Sequence, residues 1–177
     1  MPPLFPVCAV IEVRRASVED APIIARTRRI VWEETYRGIY PDFMLDQYDM
    51  EAHAAKDAAR IAMPQHRYYV FMDGQRCVGY MSFGPYNYGV YKDFSLCLNS
   101  LYVCNGYKGI GIGRQTFAIL REYASSHGIP KFFCGCNVHN LKAQSFYRHM
   151  GGIDGHISTG HENPSEDIIH FEFYLGD

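Results

Sequence analysis

Nowhere in these 177 residues does an apolar run approach the roughly 18 that a membrane-spanning helix needs, so the sequence offers no membrane helix. A basic excess is missing too. Seventeen lysines and arginines stand against 19 acidic residues, and a pI near 6.4 removes the bulk reason to expect nucleic acid as a partner. The opening "MPPLFPVCAVIEVRR" lacks the basic n-region and small-residue cleavage site of a secretory signal. Repeats, low-complexity tracts and linker-like stretches are also missing. The expectation is a soluble cytoplasmic protein with no membrane and no nucleic-acid partner.

The six cysteines, at 8, 77, 97, 104, 134 and 136, do not form a disulfide scaffold, because most fall inside apolar, strand-like runs of a chain too long and too loop-poor for one. Cys134 and Cys136 share a strand face by their period of two, with His139 close behind. That set lacks a second ligand pair at finger spacing, so no metal site is expected. Buried, reduced thiols are the simpler reading.

What is present is a globular composition, 47% hydrophobic and 15% aromatic, in a length that suits one domain over 1–177 with 1–10 as an irregular leader. "IEVRRA" (11–16) reads as a first strand. "SVED" is a capping-box pattern that opens a helix through "APIIARTRRIVWEETY", with Ile23, Arg26, Ile30 and Glu33 or Glu34 on one stripe and Ile24, Thr27 and Val31 on the adjoining one. A second helix is expected from Phe43 to about Ile61, ending before Pro64. "RYYVFMDGQRCVGYMSFG" is a hairpin around Asp73-Gly74. A loop at 86–93 and a fourth strand, "FSLCLNSLYV", follow. After a glycine-rich turn come the helix "RQTFAILREYASSHG", the fifth strand "KFFCGCNV", a short helix in "NLKAQSFYRHMGG" and two closing strands. A helical crossover between the fourth and fifth strands implies a parallel pair inside a mixed sheet. The class is α/β, or α+β by stricter bookkeeping.

The turn is the most informative segment. In "LYVCNGYKGIGIGRQTFAIL" (101–120), a strand leads through Gly109, Gly111 and Gly113 into a helix, an arrangement that lets backbone N–H groups converge on a phosphate. The dinucleotide pattern G-x-G-x-x-G fails in both registers, at Arg114 and at Thr116, and the P-loop pattern fails at Arg114. A plain tight turn would also use glycine. The basic flanks, Lys108 and Arg114, favour a pyrophosphate cradle.

"KGIGIG" resembles the Q/R-x-x-G-x-G/A signature of the GNAT superfamily of N-acetyltransferases, with Lys108 in the first place. "LYV" resembles the end of that family's fourth strand. "NVHNLKAQSFYRHMGG" is similar to its V-x-x-x-N-x-x-A-x-x-F-Y-x-x-x-G-F segment, with Asn140, Ala143, Phe146, Tyr147 and Gly151 in place, Val138 displaced by one and Gly152 where an aromatic is usual. "WEETYRGIYPD" resembles the substrate-side helix and loop of many bacterial members. The likeness runs from Ile11 to Leu175.

The resemblance implies a mostly antiparallel mixed sheet with a splayed parallel pair flanked by helices, and acetyl-coenzyme A as acyl donor to a small-molecule or peptide amine. Cofactor contacts would then fall on Leu101, Tyr102, Val103, Lys108, Gly109, Ile110, Gly111, Ile112, Gly113, Arg114 and Asn140, with Tyr147 catalytic near the thioester sulfur. Trp32, Glu33 and Tyr36 would face the acceptor. Asn140 and Tyr147 are seven apart and share a helix face, although core packing of Tyr147 with Phe146 and Met150 fits that spacing equally. Many members carry a carboxylate on the fourth strand at the positions held here by Asn99 and Cys97. The general base is therefore unassigned, with Glu33 and Glu34 as candidates beside ordered water. The missing carboxylate leaves a second reading open, a noncatalytic acyl-CoA sensor on the same fold. Dimers are common in that family, so a homodimer is an expectation, though nothing in the sequence demands one.

Overall fold

A computed structural model of the chain describes residues 10–86 and 89–176; of the leader expected over 1–10, only Val10 falls among them. Among the described residues five α-helices and seven strands follow one another: β1 (Glu12–Arg15), α1 (Ala21–Tyr36), α2 (Asp42–Asp46), α3 (Met50–Ile61), β2 (Arg67–Asp73), β3 (Arg76–Gly84), β4 (Cys97–Val103), α4 (Ile112–Ser126), β5 (Lys131–Asn137), α5 (Leu141–His149), β6 (Ile153–Ser158) and β7 (Ile168–Tyr174). All strands lie in one sheet of order β1-β2-β3-β4-β5-β7-β6. Only β4 and β5 run parallel; every other neighbouring pair is antiparallel.

Local chemistry sets most boundaries. Asp20 takes the backbone N–H of Ser17 at 2.8 Å and both guanidinium arms of Arg14, and so ties β1 to the start of α1 through a short 3-10 turn. The core face of α1 holds Ile24, Thr27 and Val31, the second of the two stripes in the sequence, together with Arg28, which belongs to neither stripe, whereas Ile30 is exposed. The single helix expected over 43–61 is two. Asp49 caps α3 by accepting the Ala52 N–H at 2.9 Å, and a cap needs a non-helical residue, so the chain breaks at 47–49. In the hairpin Asp73 pairs with Arg76, so the two turn residues are Gly74 and Gln75, with Gly74 at φ 57°.

Two cores sandwich the sheet. On one face Phe117 and Leu120 of α4 pack with Phe71, Met81, Phe83, Phe132 and Phe173, and fully burying each such side chain is worth about 1.5–3 kcal/mol. On the other, Ile24 of α1 packs with Tyr68, Val70 and Tyr80, and α3 lies against α1.

β4 and β5 pair for only two steps, Cys97 with Phe133 and Leu98 with Cys134. On its other edge β4 carries a bulge: Ser100 faces Ser82 and Leu98 faces Phe83, so Asn99 is the extra residue. A bulge bends its strand and sharpens the local twist. Beyond it β4 stays with β3, while β5 is held along its whole length by β7. The two central strands therefore part, and among the described residues no strand lies beside the edge of β4 after Leu98.

Under α1 sits a buried ion pair. Arg28 meets Asp57 Oδ1 at 2.8 Å, donates to the Tyr80 hydroxyl at 2.7 Å and faces His53 Nδ1 at 3.2 Å, while the Tyr68 hydroxyl donates to the same carboxylate at 3.3 Å. An arginine is always a donor, so Nδ1 of His53 is the acceptor and the imidazole is neutral. Burial, and then the Arg28 charge, hold its pKa below the ordinary value. Removing one member of such a pair strands a buried charge. Asp57→Ala is therefore expected to cost about 3–5 kcal/mol in urea unfolding. A cost below about 1 kcal/mol would show that Arg28 finds other partners or water.

Candidate functional site

The parting strands open a cavity of about 370 Å³. Its walls come from five elements: Val31, Thr35 and Tyr36 of α1; residues 98–103 of β4; Gly135 and Cys136 of β5; Ile112 and Gly113 at the start of α4; and Ala143, Phe146 and Tyr147 of α5. Tyr107, Lys108 and Gly109 of the turn and Asn140 and Lys142 at the head of α5 complete it.

The glycines of the turn divide their work. Gly109 and Gly111 have φ of 78° and 98°, a region that disfavours any side chain, and open space lies where a Cβ would point. Gly111 is the N-cap of α4. The first turn of the helix leaves its leading N–H groups without intrahelical acceptors, and the helix dipole adds positive potential there. Gly113 has another reason: a Cβ would stand 2.7 Å from the ring of Phe146, so glycine is what lets α4 lie against α5. Lys108 hydrogen-bonds Asn105 at 2.6 Å.

Asn140 caps α5, its Oδ1 accepting the Ala143 N–H at 3.1 Å, and its side chain lies within hydrogen-bonding reach of the Tyr36 hydroxyl. Tyr147 is 6% exposed, wedged against Phe117, Phe146 and Phe171. Burial first, then the neighbouring Cys134, Cys136, Tyr36 and Tyr102, push its hydroxyl well above the usual phenol range. The same dry environment pushes the Tyr36 and Tyr102 hydroxyls up and lifts the Cys136 thiol to about 12. Every titratable group of the inner cavity is thus held in its protonated, neutral form at pH 7.

The family model for the acetyltransferase (GNAT) family matches residues 26–151. The chain belongs to the GNAT acetyltransferase family. A search of curated proteins finds no match. Solved structures agree on the fold. The PaiA N-acetyltransferase of Thermoplasma acidophilum, in complex with coenzyme A, is 20% identical with a TM-score of 0.71, covering 92% of this chain and 99% of that one. A ribosomal-protein-alanine N-acetyltransferase of Brucella melitensis is 20% identical with a TM-score of 0.69 over 93% and 99% of the two chains. YncA of Salmonella typhimurium, with its cofactor acetyl-CoA, is 18% identical with a TM-score of 0.69 over 94% and 95%.

Within this GNAT fold, the residues singled out from sequence separate into two groups. Leu101, Tyr102, Val103, Lys108, Gly109, Ile112, Gly113, Asn140, Tyr147 and Tyr36 line the cavity; Ile110, Gly111 and Arg114 sit outside it and are exposed, and Trp32 and Glu33 do not reach it. Trp32 packs edge-on against Tyr36, Tyr48 and His53. Glu33 is taken by Arg37 at 2.7 Å, and Glu34 accepts the Asn105 N–H at 2.9 Å. Neither carboxylate faces the cavity, so neither is placed to act as base. Cys97 turns to the far face, against Tyr91 and Phe133, where burial raises its thiol pKa. Asn99 alone of the two fourth-strand positions lines the cavity.

Lys142, Thr35, Ser100 and Cys136 were not singled out as site residues by sequence reasoning. Lys142 had a usable signal, a cation in the first turn of a helix already placed beside the glycine turn. Cys136 had only its strand parity. Among the described residues no three His, Cys, Asp or Glu side chains lie together as a metal site would require.

Asn140→Ala removes the α5 cap, and losing such a cap typically costs about 1 kcal/mol. We expect a lowered Tm by thermal unfolding of the unliganded protein; an unchanged Tm would mean that water replaces the cap without loss.

Proposed function

We propose that the chain transfers an acetyl group from acetyl-coenzyme A to a primary amine by direct attack, with Tyr147 as the proton donor to the departing sulfur. The observation that carries the reading is the cavity between β4 and β5. One end, lined by Lys108, Gly109 and the helix N-terminus at Ile112, opens onto the exposed glycine turn, and the other is a buried phenol. The first is chemistry for a pyrophosphate, the second for a thiolate.

Coenzyme A would lie with its phosphates on the turn between Lys108 and Arg114 and its pantetheine arm along 101–103, where the unpartnered edge of β4 offers backbone hydrogen bonds. A backbone N–H near Val103 would polarise the thioester carbonyl. The amine attacks that carbonyl, an oxyanion forms, and the C–S bond breaks. The leaving thiolate emerges where burial already lifts a neighbouring thiol to about 12. The same burial would make a thiolate released there more basic, which favours its taking the phenolic proton of Tyr147. The raised pKa of Tyr147 also guarantees that the hydroxyl is protonated when it is needed.

Calorimetric titration with acetyl-coenzyme A, with NADH and ATP as controls, tests the cradle. Binding of the first alone is expected. No binding of it would reduce the likeness to fold alone. Gly111→Val forces a branched side chain into φ 98° and should weaken acetyl-coenzyme A at least about tenfold, equivalent to about 1.4 kcal/mol. Unchanged affinity would remove the turn from the cofactor site. Tyr147→Phe keeps the packing and deletes the proton, so kcat should fall about 10²-fold with cofactor affinity nearly unchanged. If turnover holds, Tyr147 is a packing residue. A protein that binds acetyl-coenzyme A yet acetylates no member of an amine panel would instead be the noncatalytic sensor.

A further inference from the structure

The overall reaction places a constraint on the acceptor. A neutral amine and a thioester give an amide and a thiol with no net proton: the one lost from nitrogen equals the one gained by sulfur. An ammonium acceptor must release one proton more, and something in the cavity has to take it.

The groups facing the reaction space are all committed otherwise. Tyr36 from α1, Tyr102 from β4, Cys136 from β5 and Tyr147 from α5 are protonated and would have to lose a proton before accepting one. Lys108 and Lys142 are cations at the phosphate end. Behind Tyr102 lie Arg28 and Asp57, bound to each other, and Arg148 lies toward Cys136. Glu33 and Glu34 are held by Arg37 and Asn105. Among the described residues no aspartate, glutamate or histidine lines the cavity. Of the residues outside the described ones, 1–9 and 87–88 contain none of the three, which leaves Asp177 alone.

We infer that this cavity takes an acceptor with a substantial neutral fraction near pH 7, the α-amino group of an amino acid or peptide, in preference to an alkylamine such as a lysine ε-amine or a polyamine. The inference rests on the acetyl-transfer reading above. An α-amino group, of pKa about 8, is about a tenth neutral at pH 7, whereas an alkylamine of pKa about 10.4 is neutral in about 0.04% of molecules, a difference of about 200-fold. An α-amino group also carries a carbonyl on the next carbon, and the two phenols not needed at sulfur, Tyr36 and Tyr102, suit that oxygen as donors. Its attack moves one proton from nitrogen toward sulfur, by way of Tyr147, and needs no base.

The test is acetyl transfer by the intact protein to two peptides of equal length. One has a free alanine α-amine and no lysine, and the other has a blocked N-terminus and one lysine; both are followed from pH 6 to 10. At pH 7 the α-amine peptide should have a kcat/KM at least about tenfold higher, allowing for the greater nucleophilicity of the alkylamine. Below each acceptor's own pKa, log kcat/KM should climb with unit slope, and the inflection should move with the acceptor. Equal or better use of the lysine peptide at pH 7, or one inflection below pH 7.5 shared by both peptides, would overturn the inference and reveal an enzymic base. Transfer neither to these peptides nor to any member of a panel of free amino acids and alkylamines, with acetyl-coenzyme A still bound, would overturn the acetyl-transfer reading itself and this inference with it.

Discussion

Everything functional in this molecule depends on two strands that stop pairing. β4 and β5 share a parallel ladder at only two positions, and the bulge at Asn99 bends β4 away just as the ladder ends. An open gap in the middle of a seven-stranded sheet is costly, because it leaves backbone donors and acceptors without partners. It persists because each strand is secured on its other side: β4 by β3, and β5 by β7 along all seven of its residues. The insertion of β7 between β5 and β6, rather than a simple meander, holds β5 in place while β4 leaves it. The unpaired edge of β4 is thereby available to a ligand.

The two faces of the sheet then contribute different things to one cleft. The α4/α5 face brings the glycine turn, a helix N-terminus and Tyr147, all set by packing, since Gly113 against Phe146 fixes how closely the two helices approach. The α1/α3 face brings Tyr36 and Tyr102, backed by the Arg28–Asp57 pair with Tyr80, Tyr68 and His53. A buried ion pair gains little net stability over an apolar replacement, but it resists displacement because losing either partner strands a charge. Its position behind Tyr102 couples the placement of α1, and hence of Tyr36, to the sheet.

Local signals in the sequence were legible and non-local ones were not. Capping chemistry at Ser17, Asp20 and Asn140, the hairpin at Gly74 and the order of elements could be read from residue types and spacing, because each is decided within a few residues. The split between α2 and α3 was missed although Asp49 is a good cap, because the apolar periodicity of 43–61 runs across it. Periodicity left two adjoining stripes of α1 undecided, because Arg28, a charged residue, belongs to the buried side, and only its partners on α3 and β3 make that tolerable. The bulge at Asn99 has no signature of its own; it exists only in the register between β3 and β4.

The same distinction governs the site. Glycines, the helix cap and Tyr147 follow motifs, so their positions were readable; the ionisation state of the cavity was not, because it is a property of the walls taken together. No single residue says that Tyr36, Tyr102, Cys136 and Tyr147 converge from four elements into one dry space. Once they do, burial raises the cost of ionising each of them, and their neighbours add to it at Tyr36 and Tyr147. The missing fourth-strand carboxylate, visible in the sequence as a departure at Asn99 and Cys97, is then not a gap awaiting a substitute base from α1. It is one part of a lining that, among the described residues, holds no carboxylate and no imidazole, and a reaction whose protons already balance is the chemistry such a lining suits.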